Sequence, residues 1–341
     1  MINGLITKHI AGNMKEFLKL IRWQNLLIII ITMILMRYAI IESLISRIGV
    51  VMLPGTGVEV PMMLQFEWYN FVFLIIAIVC ITAGGYVIND YFDIKTDLIN
   101  RGKVLVGTKV SRRKAIMWHS VFNVIGVGAG FYVSWRAHYF WFGTIFLIVS
   151  GLLYFYSASY KRQFLIGNLI VAVLTAAVPL LVVLFEWAAL YRFYVVNVSV
   201  MPELDFLFAW VGGFAVYAFL TTLVREIIKD IEDFEGDMAY GRNTIPVITG
   251  IRASKIITAS LAVLTIASLY FVWFYFLNDR ITLIYLTLFI AIPYIYVIYQ
   301  LFSSGDKRDI HSASNLMKMI MLAGIFYSIV VKAILSWNLI S

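Results

Sequence analysis

Long apolar runs alternate with short polar connections along almost the whole chain. The runs reach the roughly 20 residues that carry an α-helix across a bilayer core. They predict about nine spans, at 18–41, 68–89, 115–135, 138–156, 164–185, 206–228, 254–277, 281–302 and 314–337. No hydrophilic stretch between them is long enough for a separate soluble domain, so one transmembrane domain over 1–341 is expected. The fold class this pattern predicts is an all-α membrane protein, a bundle of about nine transmembrane helices. Two connections, 42–67 and 186–205, are longer and carry Pro54, Gly55, Gly57, Pro61 and Pro202. They read as irregular or partly interfacial. Trp187, Tyr191, Phe193 and Tyr194 fit an aromatic belt at the membrane surface.

Composition agrees with this reading. The chain is 62% hydrophobic and 13% charged, against roughly 25% charged in soluble domains. Four cations (Lys8, Lys15, Lys19 and Arg22) lie before or in the first turns of the first span, a lead too long for a cleaved signal peptide. The lone Cys80 lies inside span two, so disulfides play no part.

The net charge of +8 is first a topology signal. Lys95, Arg101, Lys103, Lys109, Arg112, Arg113 and Lys114 crowd the connection between spans two and three. Later connections on the same side carry Lys161 and Arg162, then Arg225, Lys229, Arg242, Arg252 and Lys255, then Lys307 and Arg308. The opposite connections hold few cations. The positive-inside rule places the N-terminus and these basic connections in the cytoplasm. Cations at helix ends, with no soluble basic face, argue against nucleic acid as a partner. His119, His138 and His311 are isolated and read as structural, and no Gly-rich phosphate loop or Cys-x-x-Cys pattern is present.

Two acidic stretches carry the candidate chemistry. Asn89-Asp90-Tyr91-Phe92-Asp93-Ile94-Lys95-Thr96-Asp97 follows span two, and Asp230-Ile231-Glu232-Asp233-Phe234-Glu235-Gly236-Asp237 follows span six. Both space their aspartates D-x-x-D-x-x-x-D. On a continuous helix these offsets return to nearly one face, so Asp90, Asp93 and Asp97 form one stripe and Asp230, Asp233 and Asp237 another. Glu226 extends the second stripe by a turn. The recurrence four spans later predicts a pseudo-repeat, with both stretches over one cavity at the cytoplasmic end. Gly84 and Gly85, and likewise Gly212 and Gly213, precede the stretches and either admit close helix contact or loosen the helix.

Co-facial carboxylates repel one another. The bland reading is that they cap helices and solvate loops. The sharper one is that divalent cations remove the penalty: Mg²⁺ takes oxygen ligands, usually a few carboxylates plus substrate phosphates. On that reading each stretch holds one Mg²⁺, two ions in all, and a diphosphate is clamped between them. Arg101, Lys103, Lys161, Arg225 and Arg242 are placed to neutralise a diphosphate leaving group.

At these residues the sequence resembles the UbiA-type intramembrane prenyltransferases. Asn89, Asp90, Asp93 and Asp97 match that family's N-D-x-x-D-x-x-x-D motif, and Asp230, Asp233 and Asp237 its second motif. Tyr156-Ser157-Ala158-Ser159-Tyr160-Lys161-Arg162, followed by Gly167-Asn168, resembles the tyrosine–lysine motif, and Arg22-Trp23-Gln24-Asn25 the Arg-x-x-Asn of the first helix. One departure is Asn100-Arg101-Gly102-Lys103-Val104-Leu105, which lacks the prolines and second arginine of the family's Asn-Arg-Pro-x-Arg-Pro loop. The Tyr156-to-Lys161 gap is more similar to the branch that prenylates geranylgeranylglyceryl phosphate.

The resemblance implies a Mg²⁺-dependent transfer of a polyprenyl group from its diphosphate to an acceptor inside the membrane. It implies metal ligation by Asp90, Asp93, Asp97, Asp230, Asp233 and Asp237, and diphosphate binding by Asn25, Asn89, Arg101, Lys103, Tyr156, Lys161, Arg225 and Arg242. Asp97, Lys161 and Asp237 are the catalytic candidates, Asp97 as metal support or as the acceptor's base. Implied partners are a polyprenyl diphosphate donor, a lipid or aromatic acceptor, and membrane lipids. The lipid acceptor, geranylgeranylglyceryl phosphate, is favoured by the abundance of cations. A quinone-pathway aromatic acceptor is the alternative. A secondary transporter is the reading from another class, although it would place its carboxylates nearer the midplane.

Overall fold

In lipid every backbone N–H and C=O must be satisfied within the chain, and long apolar segments therefore become helices. A computed structural model describes residues 14–52, 58–102, 104–197, 203–303 and 307–336. Among the described residues, nine helices are long and apolar enough to cross a membrane. They are α1 (Trp23–Ile48), α2 (Trp68–Phe92), α4 (Arg112–Arg136), α5 (Phe140–Ala158), α6 (Ile166–Val195), α7 (Asp205–Glu232), α10 (Ile251–Leu277), α11 (Arg280–Ser303) and α12 (Lys307–Ser336). Each coincides with one predicted span. Short helices outside them include α3 (Ile94–Arg101), α8 (Phe234–Ala239) and α9 (Ile245–Thr249).

Two connections are more ordered than the sequence suggested. α1 runs on to Ile48, and an antiparallel hairpin of β1 (Val50–Met52) and β2 (Glu59–Pro61) follows. α6 continues to Val195, so Trp187, Tyr191, Phe193 and Tyr194 are helical. Tyr194 is fully buried. Its hydroxyl accepts from the Met63 N–H at 3.1 Å and donates to the Pro61 carbonyl at 2.8 Å. It fastens a loop and does not anchor in lipid, which corrects the aromatic-belt reading at that position.

The chain forms two compact units. The first comprises 1–30, 68–163 and 235–242, and thus α2 to α5, most of α8 and the first turns of α1. There α4 lies close against α2 and α5 because glycines leave room. A Cβ at Gly126 would meet Ile81 at 2.7 Å and the Ala77 carbonyl at 2.9 Å, and one at Gly130 would meet the Phe146 ring at 2.3 Å. Nearer the acidic stretch, a Cβ at Gly84 would meet the Asn123 amide at 2.8 Å. Ser150 donates to that amide at 2.6 Å, and His119 Nδ1 lies 3.0 Å from the Gly84 carbonyl.

The second unit comprises 31–67, 164–234 and 243–341. Val224, Ile227, Ile228, Tyr294, Val297 and Met317 belong to its buried core. Gly212 and Gly213 face open space, so the close approach seen at Gly84 is not repeated there. Arg37 and Glu186, both buried, pair at 3.0 Å. Glu186 also accepts the Gln65 and Phe66 backbone N–H groups at 2.8 and 3.0 Å, and Arg37 donates to the Phe66 carbonyl.

Candidate active site

Neither acidic stretch is one continuous helix. α2 ends at Phe92 and α3 begins at Ile94, with Asp93 between them at φ −90°, ψ 0°. α7 ends at Glu232 and α8 begins at Phe234, with Asp233 between them at φ −92°, ψ 8°. Each middle aspartate still donates its N–H to the carbonyl four residues back, at 3.0 Å for Asp93 and 2.9 Å for Asp233. The pseudo-repeat is therefore written in the backbone: both stretches bend at the same motif position. The single stripe expected of a continuous helix is thus interrupted at the middle aspartate of each stretch.

In the first unit Asp93 is the hub. Its side chain makes no helix-capping bond. Lys161 Nζ and Arg242 Nη2 both reach its Oδ1, at 2.6 and 2.7 Å. Lys161, held on a tight turn just after α5, also donates to Asn89 Oδ1 at 3.2 Å. Arg242 donates to Thr96 Oγ1 at 2.5 Å and pairs with Asp237 Oδ1 at 3.3 Å. Asp97, in the first turn of α3, is close enough to Lys161 and Arg242 to favour both charges.

A second pair lies on the same stretch. Arg22 Nη2 meets Asp90 Oδ1 at 2.9 Å, and its guanidinium sits 4.9 Å over the Tyr86 ring. The Tyr86 hydroxyl accepts from Asn25 Nδ2 at 3.3 Å. Arg22 takes a left-handed backbone, φ 51°, where the chain turns into α1. Non-glycine residues rarely take that conformation, and it clusters at functional sites.

Buried charges require partners, and here they shift one another. Burial alone would raise the Asp93 carboxyl, but Lys161 and Arg242 overturn that and hold it below the ordinary carboxylate range. Burial pushes the Lys161 ammonium down to about 8 against the opposing pull of Asp93.

In the second unit, Asp230 Oδ2 accepts from Asn168 Nδ2 at 2.7 Å. Glu226, buried one turn deeper, accepts from Lys229 at 2.8 Å and from Arg225 at 3.2 Å. Asp233 is half-buried at the bend. Tyr156 is half-buried near the end of α5 and Arg101 closes α3, while Lys103 lies outside the described residues.

Among the described residues, no three carboxylate, histidine or cysteine groups converge as a metal cluster. The donors present are nevertheless hard oxygens of Asp, Asn and Thr, the chemistry that suits Mg²⁺ rather than a softer ion. Asp93 with Asp90 and Asn89, and Asp237 across Arg242, supply such oxygens in the first unit; Asp230 and Asp233 supply them in the second. Lysine and arginine neutralise Asp90, Asp93 and Asp237 in this structure.

Three further positions have no role predictable from residue type and spacing. Asn100 Oδ1 accepts the Gly236 N–H at 2.9 Å. Asn168 was visible as part of a motif but had no role, and Thr96 gave no signal beyond lying inside the first stretch.

A model described as the UbiA prenyltransferase family matches residues 57–327. A digeranylgeranylglyceryl phosphate synthase of Thermococcus kodakarensis is 29% identical over 272 residues, covering 80% of this chain and 88% of that protein. The solved structure of a digeranylgeranylglyceryl phosphate synthase superposes with a TM-score of 0.60 at 23% identity, over 94% of this chain and 98% of that one. A UbiA homologue from Archaeoglobus fulgidus, bound to DMAPP and Mg²⁺, superposes with a TM-score of 0.51 at 16% identity, over 92% of this chain and 99% of that one. These likenesses bear out the resemblance read from the paired motifs.

Proposed function

This chain belongs to the UbiA prenyltransferase family, and from that premise we propose that it moves a geranylgeranyl group from geranylgeranyl diphosphate to geranylgeranylglyceryl phosphate. Membership in a transferase family sets the transporter alternative aside. The acceptor follows the names of the relatives, such as the Thermococcus synthase. The observation that carries the site is the joining of Asp93 to Asp237 through Arg242. It puts a carboxylate of the second stretch beside those of the first, with Lys161 on the same oxygen.

Bound Mg²⁺ would neutralise charge developing on the diphosphate as the allylic C–O bond breaks. The residues that would hold the ions are Asp90, Asp93, Asp97, Asp230, Asp233 and Asp237. Asn25, Asn89 and Tyr156 orient the diphosphate. Lys161 and Arg242, together with Arg101, Lys103 and Arg225, would carry the charge of the departing diphosphate. The acceptor hydroxyl oxygen then forms the ether bond to the allylic carbon, and its proton passes to the released diphosphate. Asp97 serves as metal support. The N-terminus and the mouth of the site open to the cytoplasm, since exposed Arg112, Arg113 and Lys114 begin α4 at that end.

The test is a membrane assay with labelled geranylgeranyl diphosphate and a panel of glycerophosphate and aromatic acceptors. Label should enter an ether lipid, chelation should stop it, and Asp93→Ala or Asp233→Ala should abolish it with normal membrane insertion. Label in an aromatic product alone would overturn the acceptor. Undiminished turnover after chelation or in either variant would overturn the metal site.

A further inference from the structure

We infer that Asn100 and Gly236 form a clasp that positions Asp237 in the active site. This rests on the reading of Asp93 and Asp237 as one site. The bond is specific: Asn100 Oδ1 accepts the Gly236 backbone N–H at 2.9 Å, 136 residues further along the chain. Both residues lie in the first unit.

Geometry gives each partner a reason. α8 has only six residues and is too short to be stable alone. Gly236 lies in its first turn, where backbone N–H groups have no intrahelical acceptor. An acceptor supplied from outside that turn fixes where the helix begins, as an N-cap side chain does. Gly236 is buried, and a Cβ there would lie 2.5 Å from both terminal atoms of the Asn100 amide. Contacts that close must be relieved by movement. Glycine is thus the residue that lets the amide reach the backbone.

The next residue is Asp237, only 3% exposed. Arg242 meets it twice, by a backbone bond to its carbonyl at 2.9 Å and by the 3.3 Å ion pair. The clasp on one side and Arg242 on the other therefore set the carboxylate. Asn100 acts through the Gly236 backbone and is a positioning residue. It lies three residues beyond Asp97 at the end of α3, which Gly102 closes in a left-handed conformation (φ 65°). The bend at Asp93 and this closure together aim the amide at Gly236.

The experiment uses the full chain in detergent or nanodiscs. Hydrogen–deuterium exchange is read over 234–242, and turnover is titrated with Mg²⁺ at saturating geranylgeranyl diphosphate. Asn100→Ala should speed exchange of this segment by about tenfold, the scale of one lost hydrogen bond. It should raise the Mg²⁺ concentration for half-maximal turnover by a similar factor, with the melting temperature unchanged. Asn100→Asp keeps an acceptor oxygen and should keep the exchange protection. Gly236→Ala should impair the Mg²⁺ response in the native background and add little in Asn100→Ala, where the clash is gone. Wild-type exchange and Mg²⁺ response in Asn100→Ala would overturn the clasp, as would equal damage by Gly236→Ala in both backgrounds. Asp93→Ala and Asp237→Ala are the controls. If they retain turnover, the site reading itself fails; if they abolish it while Asn100→Ala is silent, only the clasp fails.

Discussion

At the scale of single residues, the buried charges among the described residues sit in company. Asp93 has two cations on one oxygen, and Glu186 has Arg37 plus two backbone donors. The two sites differ in purpose. The Arg37–Glu186 pair is nearly sealed, at 3% and 1% side-chain exposure, and it ties residues 65 and 66 to α6. Arg37→Met should therefore destabilise strongly, by about 3–5 kcal/mol, because it leaves a buried carboxylate without its counter-charge. The double variant Arg37→Met/Glu186→Gln keeps an oxygen for the two N–H groups and should recover most of that loss. Thermal unfolding in detergent measures both. A double variant no more stable than Arg37→Met would show that the pair's charge is not what matters.

At the scale of elements, glycine decides how closely helices approach and aspartate decides where they bend. In the first unit α4 meets α2 at Gly126 and α5 at Gly130. Small residues at such contacts replace a hydrophobic drive that is absent in lipid. Gly130→Val would drive a branched side chain into the Phe146 ring and should cost about 1–3 kcal/mol, the range for overpacking. Gly128→Val on the same helix, where a Cβ meets nothing within 4 Å, is the control. Equal melting temperatures for the two variants would refute the close-contact account. Sequence showed the helices and the glycines but not which glycines are contacts: Gly84 is one, whereas Gly212 and Gly213 are not. Side-chain periodicity along a single helix carries no record of what its neighbour presents. The bends escaped for a related reason, since aspartate spacing looks the same along a straight helix and a broken one.

At the scale of the whole molecule, the arrangement of cations along the chain predicts a testable topology. Lys109, exposed on the connection before α4, belongs to the predicted cytoplasmic side. In a Cys80→Ser background, Lys109→Cys should react with a membrane-impermeant maleimide only after the cytoplasmic face is opened. Labelling of intact cells would reverse the orientation.

The amino-acid sequence alone determined about nine spans, the doubled acidic motif and, through the motif residues, the family. Each of these is a property of composition and order, and hydropathy and spacing survive in a one-dimensional string. The tertiary structure decided which charge meets which. Arg242 and Lys161 share Asp93, Arg22 takes Asp90, and Asn100 reaches Gly236. Those pairings depend on where two bends and several helix contacts bring distant residues, and a charge carries no mark of its partner until burial forces it to have one.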